Sequence, residues 1–85
     1  MAAPRVLTTR EATCARLDAA ADLASQEADM YRTMAQHLRR LDPSYSNDLI
    51  GDEIAALYGK AQARDATEAD HRQHADNLRP RRAVR

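Results

Sequence analysis

The stretch from Cys14 to Leu41 constrains the fold more than any other part of the chain. Cys14, Leu17, Ala21, Ala24, Ala28, Tyr31, Ala35 and Leu38 recur alternately three and four residues apart. This repeat of about 3.5 residues marks a helix buried along a seam. A second stripe, Ala20, Leu23, Met30, Met34 and Leu41, keeps the spacing and is interrupted by Glu27 and His37. One packed helix covers one such stripe, so two stripes side by side ask for a bundle. Neither Gly nor Pro occurs between Thr9 and Leu41, which predicts an uninterrupted helix roughly 50 Å long.

The ends of that helix carry their own signals. Thr8 followed three residues later by Glu11 reads as a capping box, with Leu7 placed to pack against Ala12 as a hydrophobic staple. Asp42-Pro43 stops the helix, because proline disfavours helical backbone in the residue before it and has no donor itself. The short polar connection that follows makes the next helix an antiparallel neighbour, capped by Ser46 or Asn47. A second helix over about 47–78 is predicted, ended by Pro80 and an arginine cluster. Its seam begins as Ile50, Ile54, Leu57 and Ala61, then continues in the same register through Arg64, Glu68 and His71 before returning to Ala75 and Leu78. Counting back from the loop sets Leu38 near Ile50, Tyr31 near Leu57 and Ala28 near Ala61. The half near the loop is expected to be the firm core, and the half carrying the termini the looser one. Gly59 is expected to face Ala24 or Ala28, where a close backbone approach would offset its cost in a helix.

The expectation is therefore an all-α chain: an N-terminal arm over 1–8, a long antiparallel two-helix hairpin over 9–78 with its loop at 42–46, and an Arg-rich tail over 79–85. Composition then argues for association. Eighteen alanines, no Trp, no Phe and three Tyr in 85 residues give two helices that bury little apolar surface against each other, near the lower size limit for an independent core. Pairing of two hairpins into a four-helix bundle, as a homodimeric coiled coil, supplies the missing burial. The face Leu23, Met30, Met34 and Leu41 is the expected interface.

Charge excludes more than it suggests. Thirteen basic and thirteen acidic residues cancel, which gives no global attraction to nucleic acid or to a membrane surface. The local excess is Arg79, Arg81, Arg82 and Arg85, expected to bind a partner. Four arginines without a folded scaffold predict weak, salt-dependent contact with DNA or RNA. One cysteine, Cys14, forms no internal disulfide and suits a reducing compartment. With no apolar leader and no run long enough to span a bilayer, the expected location is cytoplasmic.

Two constellations could carry chemistry. Glu68-Ala69-Asp70-His71-Arg72-Gln73-His74 places a carboxylate and two imidazoles a turn apart, and Cys14, Asp18 and Asp22 form a ladder at the same height on the first helix. Glu68, His71 and His74 with Asp18 and Asp22 could hold iron in a ferritin-like site, or zinc. The competing reading is a solvated face with pairs such as Glu68 and Arg72. His37 could be a ligand or proton carrier, or a polar residue at a bundle edge. No phosphate-binding loop, paired Cys-x-x-Cys or nucleophile elbow is present, so an enzyme is not expected and no cofactor is assigned. The reading is a small interaction module, an adaptor or regulator that self-associates and binds a macromolecular partner.

In size and hairpin layout the chain resembles the small secreted helical hairpins that carry a Trp-x-Gly turn. The turn here reads Asp42-Pro43-Ser44-Tyr45-Ser46-Asn47. The tyrosine-based export signal of those proteins is approached only by Tyr58 with Gln62, where an acidic residue should stand. No family is assigned on this basis.

Overall fold

A computed structural model describes residues 7–44 and 46–79. It contains two α-helices, α1 over Thr9–Leu41 and α2 over Asp48–Leu78, packed against each other along their length. The N-terminal arm up to Val6, Tyr45 in the loop, and Arg81, Arg82 and Arg85 of the tail lie outside the described residues.

The caps follow from local chemistry. Thr8 Oγ1 accepts the backbone N–H of Glu11 at 3.1 Å and donates to that residue's carboxylate at 3.2 Å, which satisfies one of the donors a helix start leaves unpaired. Asn47, rather than Ser46, caps α2: its side-chain oxygen accepts from Leu49 N–H at 3.0 Å and Ile50 N–H at 3.4 Å. Between the helices the Asp42 carboxylate organises the turn. It accepts the N–H of Asn47 at 2.9 Å, the N–H and hydroxyl of Ser46 at 3.3 and 3.0 Å, and the hydroxyl of Ser44 at 3.5 Å. Asp42 is only 8% exposed, and these donors make a buried carboxylate tolerable.

The helices run antiparallel in the register counted from the loop. Ala35, Ile54 and Leu57 form the apolar cluster near the turn, with Tyr31, Leu38, Ile50 and Tyr58 packed around it. At the other end the Cys14 thiol donates to the Ala75 carbonyl at 3.6 Å. Toward the termini the buried residues are all alanines, Ala21, Ala24, Ala28, Ala61 and Ala75. Small side chains on α1 opposite Arg64, Glu68 and His71 leave room for long polar side chains to cross the seam and place their heads at its edges.

Gly59 departs from expectation. Nothing lies within 4 Å of where its Cβ would be, and it is exposed. It follows the seam residue Leu57 by two, roughly 200° around the helix, and so looks outward rather than at Ala24 or Ala28.

Candidate functional site

The seam divides the hairpin into two unlike flanks. On α1, at about 100° per residue, Asp18, Asp22, Asp29 and Arg32 fall on one side of the buried alanines. Leu23, Met30, Met34, His37 and Leu41 fall on the other.

The first flank is closed by ion pairs, each built on one guanidinium that joins an acid on its own helix to an acid across the seam. Arg32 holds Asp29 at 2.9 Å and also pairs with Asp65 of α2. Arg72 holds Glu68 at 2.9 Å and Asp22 of α1 at 3.0 Å. Arg79 pairs with Asp76 and, across the seam, with Asp18. These acids hold all three guanidiniums above their ordinary pKa, chiefly by accepting the hydrogen bonds that Arg32, Arg72 and Arg79 donate to Asp65, Asp22 and Asp18 respectively. One further pair, Arg64 with Glu27 at 3.4 Å, starts from the seam and reaches toward the opposite side.

This arrangement places most of the residues expected to bind metal. Asp22 and Glu68 are brought together, but the positive charge between them is the guanidinium of Arg72. Asp18 meets Arg79, the described member of the tail cluster. His71 is half-buried and His74 exposed. Among the described residues no three His, Cys, Asp or Glu side chains come together in a group that could hold a metal ion.

The second flank is open and apolar. Leu23 is 57% exposed, Met30 50%, Met34 47% and Leu41 67%. Leu49 of α2, at 79%, borders the same flank, since Glu53, one turn further on, lines a cleft there with Met34 and His37. That cleft, about 460 Å³, is completed by Thr33, Leu38 and Leu57. Beside it the Lys60 ammonium lies 5.8 Å from the Tyr31 ring centroid, within reach of a cation–π contact. Leu49 was not among the expected interface residues. Its signal in the sequence is weak, because Glu53 and Lys60 interrupt the stripe it would begin on α2.

A second cleft, about 530 Å³, opens at the end carrying the termini and is lined by Leu7, Arg10, Cys14, Asp18 and Arg79 among others. Among the described residues no helix is long and apolar enough to cross a membrane. No known protein family, curated protein or solved structure matches the chain.

Proposed function

We propose that the chain is a non-enzymatic interaction module. Its open flank pairs with a second copy to form a four-helix bundle, and the end bearing the termini and the Arg-rich tail engages a second macromolecule. The observation that carries this reading is the sorting of exposed apolar side chains. Among the described residues, five of the six large exposed ones, Leu23, Met30, Met34, Leu41 and Leu49, lie on one flank, while the other flank is occupied by ion pairs. Scattered apolar residues on a surface need no explanation, whereas their alignment along one flank of a small protein, even with Glu27 and His37 between them, supports an interaction surface. A second copy is the occupant argued for, because the hairpin's own buried residues are mostly alanine and a twofold pairing lets the same stripe cover itself.

Sedimentation of the wild-type chain and of a Met30→Glu/Met34→Glu variant tests this. The wild type is expected to run as a dimer and the variant as a monomer, with Ala66→Glu on the exposed outer side of α2 leaving the dimer intact. A wild type that stays monomeric at high concentration would overturn self-association.

A further inference from the structure

The stripe on α1 is symmetric about its own midpoint. In order it runs Leu23, Glu27, Met30, Met34, His37 and Leu41, with intervals of four, three, four, three and four residues. Reversed about the level of Arg32, Leu23 falls on Leu41, Met30 on Met34, and Glu27 on His37. At about 100° per residue, all six lie within about 40° of one direction. Glu27 is half-buried and the other five are exposed. The two polar residues that break the stripe are thus a carboxylate and an imidazole at matching distances from its centre.

We infer that two copies join through an antiparallel contact between their α1 helices, with the twofold axis at the level of Arg32 and Glu27 of each copy paired with the partner's His37. This rests on the self-association proposed above and gives it an orientation. In an antiparallel helix pair, a residue before the axis meets one equally far beyond it. The stripe then forms two leucine layers, two methionine layers and two Glu27–His37 layers, in each of which a ring N–H donates to a carboxylate. A parallel pair would set Glu27 against Glu27, and like charges in contact are unfavourable. Shifting the antiparallel pair by seven residues sets Glu27 against Met30, or His37 against Met34, and leaves an end leucine without its match. α2 is a poorer cover for this stripe, since on the same flank its Leu49 is followed by Glu53 and Lys60. Glu27 also holds Arg64 of its own chain at 3.4 Å through Oε2, a contact that fixes its carboxylate at the edge of the seam.

Disulfide trapping tests the orientation, in full chains that carry Cys14→Ser. Leu23→Cys and Leu41→Cys chains, mixed and mildly oxidised, are expected to link position 23 to position 41 between copies, read by peptide mapping. Each chain alone is expected to stay unlinked, because its two thiols lie about 27 Å apart along the pair. Either chain linking to itself, or a sedimenting dimer that links in no combination, would overturn the inference and leave self-association standing. A chain that is monomeric throughout would overturn both. The polar layers are tested by a double-mutant cycle on the dimer dissociation constant. Glu27→Gln and His37→Gln are each expected to weaken the dimer about threefold or more, since each dimer holds two such contacts, and the double variant to be little weaker than either single one. Glu27 and His37 of one chain stand about 15 Å apart along α1, so their coupling arises between copies. Effects that simply multiply would overturn the Glu27–His37 contact.

Discussion

Gly59 sits on the outward side of α2 with open space where a side chain would be. Nothing in the packing requires it, and it retains the backbone freedom that makes glycine costly inside a helix. Gly59→Ala is expected to stabilise the hairpin by about 1 kcal/mol, seen as a thermal midpoint raised by roughly 4–8 °C; a lowered midpoint would mean that the glycine is needed for a contact. Asp42 is the opposite kind of residue, one whose side chain has many roles at once. The N–H of Asn47 above all, then the hydroxyl and N–H of Ser46 and the hydroxyl of Ser44, hold its carboxyl below the ordinary value of 3.8, against the effect of burial. The folded chain therefore binds this proton less readily than the unfolded chain, so stability rises with pH through this range. Its contribution is complete above the ordinary value and is lost as the pH falls through the depressed one. Asp42→Asn is expected to lower the melting temperature at pH 7, and the gap to wild type should narrow as the pH drops below 3.8. A gap that stays constant with pH would show that the carboxylate charge is not what orders the turn.

At the scale of the helices, the two flanks differ in what they ask of their residues. The ion-paired flank is partly exposed, with Arg32 at 36% and Asp65 at 45% side-chain accessibility, so its pairs act mainly to fix register rather than to supply stability. Each of its three arginines is tied to both helices, which disfavours sliding or rotation of one helix against the other. The seam between the flanks has little room. Ala28 is fully buried and Ala61 nearly so, and the helices meet there through their smallest side chains. Ala28→Leu is expected to destabilise the hairpin by about 1–3 kcal/mol, the usual cost of forcing extra methylenes into packed space, read from the denaturant midpoint. An unchanged midpoint would show that the seam gives way at that level.

For the whole molecule, the proposed dimer ties stability to concentration. The unfolded chain has no paired stripe, so association draws the equilibrium toward the folded state by mass action. The melting temperature is expected to rise as the protein is concentrated, and to lose that dependence in Met30→Glu/Met34→Glu. A wild-type midpoint that is independent of concentration would count against the pairing. The helices, the Thr8 cap, the Asp42-Pro43 stop and the seam were legible in the sequence, because each depends on helical period or on residues within one turn. The stripe Leu23, Met30, Met34 and Leu41 was legible for the same reason. Less was legible across the seam: Arg72 pairs with Glu68 as i,i+4 spacing suggests, but its reach to Asp22, and that of Arg79 to Asp18, is absent from any local pattern. Gly59 pointing outward and Leu49 joining the open flank belong with these. The sequence by itself determined that two amphipathic helices form and fold back on each other, since backbone propensity, capping and periodic burial act locally. Only the tertiary structure decided which acid each guanidinium takes and which residues share a cleft, because both depend on the rotation of α2 about its axis, and that angle is set by how side chains from the two helices fit together.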